Sequence, residues 1–364
     1  MITLKTPHVY NAESEIPNLI KDSAIAVIGY GNQGRAQALN LRDSSAQVII
    51  GNLQDSYANR ARQDGFEVHD IAAAVTRSEI VMLLIPDDVL PAVFEEQIKP
   101  YLKPNSALVF PSGYNVAFGQ IHLHAGVDVI LLAPRMIGVG VRERYLSREG
   151  FYCLVGVEQD ASGIARERLL ALTWGIGRLY KPAIEVTFKQ EAILDLFNEQ
   201  AFGPAFGRVL LTAISVLLEN GLPPEAVLVE MYMSEEMAYT YHKMAQVGLV
   251  RQTAFHSPTS QYGAMSRGAR FLGMGLKSRM KRIYAEIESG DFAQEWSNPI
   301  ARLRFKVIQY FAMRQSINKV ESLVRKTLGL KPILSDPPDL GFDEILKDPA
   351  IQAELETFKD TFEF

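Results

Sequence analysis

The sequence predicts an α/β chain in which a doubly wound parallel sheet precedes an all-α region, and three observations predict it. A short β-branched run, Ala24 to Ile28, leads through Gly29, Gly31 and Gly34 into a helical pattern at Ala36, Ala38, Leu39 and Leu41. Apolar strand-like runs then alternate with helical segments to about residue 184. Beyond Ile184 apolar residues recur at helical spacing only. The chain therefore divides into a Rossmann-type domain over 1–184, a helical domain over 185–330 and an acidic extension over 331–364.

Each element has a local reason. In the turn Gly29-Tyr30-Gly31-Asn32-Gln33-Gly34, the first glycine permits the tight bend and the second lets a pyrophosphate approach the backbone. The third lets the helix sit close, and the free N–H groups of the helix start face the phosphates. Ala46 to Gly51 reads as the next strand, and the loop after it should reach the adenosine ribose. Asp55 lies about 20 residues past the last glycine, beside Ser56, where a carboxylate accepts from ribose hydroxyls and repels a 2′-phosphate. NAD(H) is therefore favoured over NADP(H), with Asp55 equally able to cap the helix Tyr57 to Asp64 and leave Arg60 or Arg62 to a phosphate.

Glu79 to Pro86, Ser106 to Phe110, Asp128 to Ala133 and Phe151 to Val157 are further strands. The first ends in Pro86-Asp87, at the sheet edge where ligands gather. The loops Pro111 to Asn115 and Pro134 to Gly138 should lie against the nicotinamide. In the helical region, segments are predicted over 187–202, 205–220, 224–246, 277–289 and 300–326. The second is apolar around its circumference, so it should be buried in a helical core or at an interface between copies.

Composition narrows the function classes. The chain has 364 residues, 48% of them hydrophobic and 22% charged, enough for two domains with sizeable cores. A net charge of -5 and pI of 5.8, with no basic block, point away from nucleic acid and lipid surfaces. The single cysteine, Cys153, reads as a core residue and suits a reducing, cytoplasmic setting. No secretory leader or membrane-spanning apolar stretch is evident in the sequence pattern.

Asp195 and Glu199 stand four apart and project from one helical face among Leu194, Leu196 and Phe197. Such a pair suits either a hard cation such as Mg²⁺ or a solvated acidic face. Glu230, Glu235 and Glu236 form a second acidic cluster that could supply further oxygen ligands.

With GYGNQGRAQALNLRDS at 29–44, FGQI at 118–121, VEQDASG at 157–163, FKQEAILDLFNEQ at 188–200 and SGDFAQEW at 289–296, the chain resembles the ketol-acid reductoisomerase family from about 20 to 328. That resemblance implies a knotted helical C-terminal domain, NAD(P)H, two Mg²⁺ ions and an active site built across a homodimer. It implies metal ligands at Asp195, Glu199 and Glu230, the last offered to the partner subunit. The fourth ligand falls on Ser234, or on Glu236 after a two-residue insertion. Ser257 or Ser260 matches the serine that holds the substrate carboxylate.

Two positions depart from the family pattern. The family's catalytic histidine loop reads Ser112-Gly113-Tyr114-Asn115 here, and its metal-site lysine loop reads Ala133-Pro134-Arg135-Met136-Ile137-Gly138. Serine is no general base near neutral pH without a helper, and arginine does not give up its proton. Hydride transfer asks less of the protein, so the expectation is a reductase acting on a 2-oxo acid, an imine or a related small polar substrate. Ser112 or Tyr114 would supply the proton and Arg135 would clamp a carboxylate or oxyanion. The alternatives are an active ketol-acid reductoisomerase, a non-catalytic NAD-binding protein, and an enzyme for which the dinucleotide is itself the substrate.

Overall fold

A computed structural model describes residues 6–17, 19–21 and 23–331; the predicted acidic extension lies outside the described residues apart from its first position. The described chain falls into two compact units, Met1–Asp195 and Leu196–Phe364, the second described to residue 331.

The first unit is built on one sheet of β1 (Val9–Tyr10), β2 (Ala24–Ile28), β3 (Gln47–Gly51), β4 (Glu67–His69), β5 (Ile80–Leu83), β6 (Ala107–Phe110), β7 (Asp128–Pro134), β8 (Cys153–Gln159) and β9 (Ala183–Glu185). Their order across the sheet is β1-β9-β8-β7-β6-β5-β2-β3-β4. From β4 to β7 all neighbours are parallel, with Ile25 opposite Val48 on one side and Ile80 on the other. Successive residues of these strands face opposite cores. Ile25, Val27, Ile80 and Met82 enter one apolar cluster, and Ala26, Ile28, Val81 and Leu83 enter the other. Burial on both faces is why these strands read as continuous apolar runs.

Helices α1 (Asn32–Asp43), α2 (Ser56–Gln63), α3 (Ile71–Arg77), α4 (Leu90–Val93), α5 (Tyr114–Ala117), α6 (Gly138–Leu146) and α7 (Ala165–Gly177) connect the strands. Asn40 is buried in α1 and donates to the carbonyls of Val141 and Ile176, joining α1 to α6 and α7. The sheet departs from the all-parallel expectation at β8, which runs antiparallel to β7 with Cys153 opposite Pro134. The segment between them leaves and re-enters the sheet at one end, and the Arg135 amide donates to the Tyr152 carbonyl across that mouth (2.8 Å). Cys153 is a buried core residue, its thiol pushed up to about 12 by burial.

Helix α8 (Phe188–Phe197) starts within the first unit, where the change of pattern after 184 predicts the second. A π-helical turn, Asn198–Phe202, and α9 (Gly203–Glu219) continue it. The rest of the second unit is α10 (Pro224–Leu228), a π turn over Val229–Met233, α11 (Glu236–Val247), α12 (Pro258–Gly268), α13 (Leu276–Ser289), α14 (Asp291–Ser297), α15 (Pro299–Met313) and α16 (Ser316–Thr327). The single segments predicted over 224–246 and 300–326 are each broken. Glu235 takes a left-handed conformation (φ 61°) in the first, and Gln315 extends (ψ 145°) in the second. Ile214, Val227, Leu228 and Val324 form a small core. Helix α9 buries only Ile214 and leaves Phe206, Val209 and Val216 exposed within this single chain. By length and composition alone the continuous helix Phe188–Glu219 is long and apolar enough to cross a membrane, against the sequence-based expectation.

Candidate active site

The glycine turn between β2 and α1 opens on a cavity of about 230 Å³ lined in part by Tyr30, Gly31, Asn32, Tyr57, Arg60 and Gly138. Gly29 adopts φ 92°, which only glycine enters without strain. A Cβ on Gly31 would meet nothing within 4 Å, so this is the open side where a pyrophosphate can reach the backbone. The Tyr30 amide donates to Asn52 Oδ1 (3.1 Å), tying the turn to the end of β3. The Tyr30 hydroxyl donates to Asp64 Oδ2 (2.9 Å), and the Arg35 guanidinium forks onto the same carboxylate (2.6 and 3.1 Å). The Arg35 hydrogen bonds hold the Asp64 carboxyl below its usual range, while burial pushes the Tyr30 phenol up.

Gln33 donates through Nε2 to the Met136 carbonyl (2.9 Å), so the 134–138 loop lies against the start of α1. Gly138 fits there because a Cβ would stand 2.3 Å from the Asn32 carbonyl oxygen. The cofactor residues expected from sequence at 29–34 and at Gly138 are thus brought together. Asp55 takes the capping role: its Oδ1 accepts from the Tyr57 and Ala58 amides and from Asn52 Nδ2 (2.9, 3.0 and 2.9 Å), and Ser56 is the first residue of α2. Arg60 faces the cavity. The other arginines on its wall are paired, Arg35 with Asp64 and Arg142 with Asp43 (2.6 Å).

At the ends of β6 and β7 a second group of side chains converges. Glu191 of α8 is 1% exposed, and its Oε2 accepts from the Gly113 amide (2.6 Å). The Arg135 guanidinium bridges two carboxylates, Nη1 to Glu191 Oε1 (3.0 Å) and Nη2 to Asp195 Oδ1. Burial pushes the Glu191 carboxyl up to about 7, outweighing the Gly113 amide and the Arg135 guanidinium, which both pull it down. Gly113 is required here, since a Cβ would stand 2.1 Å from the Phe188 carbonyl oxygen. Asn115 donates to Asp87 Oδ1 (2.8 Å), linking the loop after β5 that holds Pro86 and Asp87.

The three residues expected to carry the reaction fare differently. Arg135 is at the centre, but both of its terminal nitrogens already serve protein carboxylates. Ser112 is half-buried, and its Oγ accepts from the Tyr114 amide (3.2 Å), leaving its O–H to donate elsewhere. The Tyr114 hydroxyl is sealed inside without a hydrogen-bond partner, its pKa raised to about 12 by burial and by Asp87. Its O–H therefore keeps its proton but is turned away from solvent, whereas the sequence-based expectation placed it against the substrate. Glu191 was missed in the sequence, although it stands four residues before Asp195 as Glu199 stands four after.

Glu199, Glu230, Glu236, Ser257 and Ser260 belong to the second unit. Glu230 lies in the π turn, and the left-handed Glu235 separates it from Glu236, which opens α11. The Ser257 hydroxyl caps α12 by accepting from the Ser260 amide (3.3 Å).

A doubly wound sheet with a glycine turn at its centre, and charged groups at the neighbouring strand ends, defines a dinucleotide-dependent oxidoreductase. Residues 19–181 match the acetohydroxy acid isomeroreductase NADPH-binding domain, and residues 188–329 match the ketol-acid reductoisomerase C-terminal domain. The chain belongs to the ketol-acid reductoisomerase family, whose members are NAD(P)-dependent oxidoreductases. It is 37% identical over 337 residues to the ketol-acid reductoisomerase (NADP(+)) of Pyrococcus abyssi, covering 90% of this chain and 99% of that one. A Saccharolobus solfataricus protein named provisionally as ketol-acid reductoisomerase 3 is 40% identical over 282 residues, 76% of this chain and 85% of its own. The solved structure of an NADH-preferring ketol-acid reductoisomerase from an uncultured archean superposes with a TM-score of 0.82 at 34% identity, covering 88% of this chain and 98% of that one.

Proposed function

We propose that this chain is a reductase of the ketol-acid reductoisomerase family that has lost the alkyl-migration step and reduces a small 2-oxo acid or imine with NADH. One observation carries the reading. Where a rearrangement needs a base for a tertiary hydroxyl proton, the site offers Ser112 and a permanently charged Arg135, and no histidine stands in the 111–115 or 134–138 loops or in α8. Glu191 cannot take that role freely, because both of its oxygens accept hydrogen bonds from Gly113 and Arg135.

Reduction balances without such a base. Bound NADH, held by the glycine turn, would supply a hydride to the C=O or C=N carbon, and the oxygen or nitrogen would take a proton to give the alcohol or amine. The guanidinium has N–H groups left over from its two ion pairs to meet the developing charge, and the Ser112 hydroxyl has its proton to give. The sequence departures and this geometry support the reading together. Incubation with 2-acetolactate, Mg²⁺ and NADH or NADPH is expected to yield no dihydroxy acid, while a panel of 2-oxo acids and imines oxidises NADH. Dihydroxy acid formation would make the chain an active ketol-acid reductoisomerase.

Preference for NADH is supported by the uncharged Leu53-Gln54 ahead of Asp55 and by the described preference of the archaeal structural relative. Asp55→Ala is expected to raise the NADPH/NADH ratio of kcat/KM and to cost about 1 kcal/mol through the lost cap. Steady-state kinetics with both cofactors and a thermal melt check this, and an unchanged ratio would remove Asp55 from cofactor choice. The exposed apolar side of α9 supports a homodimer in which a second copy covers it.

A further inference from the structure

We propose that the Arg135 guanidinium takes the place of a divalent cation at Asp195 of α8, so that this chain works without magnesium. The substrate class rests on the reductase reading, but the observations and the test below do not.

The donor set is the first argument. Asp195, the carboxylate that matches the family's first metal ligand, accepts from Arg135 Nη2, and Glu191 behind it accepts from Nη1 (3.0 Å), so the two carboxyl groups share one fixed positive charge. A divalent ion on Asp195 would stand beside a fixed positive charge. A lysine in that place could shed its proton to admit the metal; a guanidinium does not.

Arg135 is also held in place. Its own amide donates to the Tyr152 carbonyl (2.8 Å), and its partner Glu191 is fixed by the Gly113 amide (2.6 Å). Swinging the guanidinium away would break both its bond to the 1% exposed Glu191 carboxyl and its bond to Asp195.

The second acidic cluster points the same way. Four residues after Glu230 stands Ser234, a neutral oxygen that accepts from the Glu236 amide (3.4 Å), and Glu236 belongs to the next helix. In a metal's place, this chain offers a developing oxyanion the Arg135 N–H groups that Glu191 and Asp195 do not use.

The test reads binding rather than turnover. Full-length protein is stripped with EDTA, loaded with NADH and titrated with MnCl₂, following the free aqua-Mn²⁺ signal by electron paramagnetic resonance, alongside Asp195→Asn and Glu199→Gln. The expected result is no uptake by the unmodified protein into the millimolar range, or uptake of equal affinity in all three proteins, which places it away from α8. Uptake by the unmodified protein that either variant weakens tenfold or more would overturn the proposal. Glu199 is exposed, so its variant still answers if Asp195→Asn fails to fold. Failure here leaves the 2-acetolactate result untouched, and dihydroxy acid formation leaves this titration interpretable.

Discussion

Arg135→Gln is expected to lower kcat/KM for the reduced substrate by about 10²–10³-fold, the scale of removing a preorganised charge from a developing oxyanion. NADH affinity should stay within a few fold, because Arg135 lies outside the glycine-turn cavity. The same variant should change how stability depends on pH. Glu191 titrates at about 7 in the native chain against 4.5 when solvated, so the folded state keeps a proton that the unfolded chain has released between those values. Its contribution is full below about pH 4.5 and is lost as pH rises to 7, amounting to about 3 kcal/mol at 1.36 kcal/mol per pH unit. Without the guanidinium, which pulls the Glu191 carboxyl down, the loss should continue above pH 7, where this contribution levels off in the unmodified protein. Melting temperatures of both proteins from pH 4 to 9 check this, and parallel curves would show that the two groups are not coupled.

Gly34→Ala is expected to weaken NADH binding on the order of 10²-fold, about 2.7 kcal/mol. The new Cβ would stand 2.0 Å from the Gly29 carbonyl oxygen, so the turn has to move. It has no room to do so, since Gly29 is itself walled in by the Leu84 carbonyl and Ile85, and a Cβ there would find them at 2.6 and 2.7 Å. Gly31→Ala serves as the contrast for the fold alone: nothing lies within 4 Å, and its melting temperature should match that of the unmodified chain. Fluorescence titration with NADH decides the matter, and an unchanged Kd in Gly34→Ala would show that the turn does not depend on this close approach.

Those glycines were legible in the sequence because each answers a requirement local to a few residues: a positive φ, an open approach, a short distance. Asp55 was legible as a choice between two roles, and its Oδ1 makes the cap by accepting from the Tyr57 and Ala58 amides, a role that does not by itself exclude the other. Glu191 was not legible. In FKQEAILD it looks like any helical glutamate, and its depth is set by Gly113 and Arg135, 78 and 56 residues away. The direction of β8 was hidden for a related reason, since an apolar run does not record which end of the sheet the chain enters. The break at Glu235 carries no glycine or proline to announce it. Tyr114 was assigned by type, and only packing shows that its hydroxyl is sealed in.

The tie from Tyr30 through Asp64 to Arg35 has a consequence for how the dinucleotide arrives. It ties the glycine turn and α1 to the end of α2 without a ligand, so a dinucleotide is expected to order little of the polypeptide there, which hydrogen exchange at the 29–35 amides with and without NADH would check.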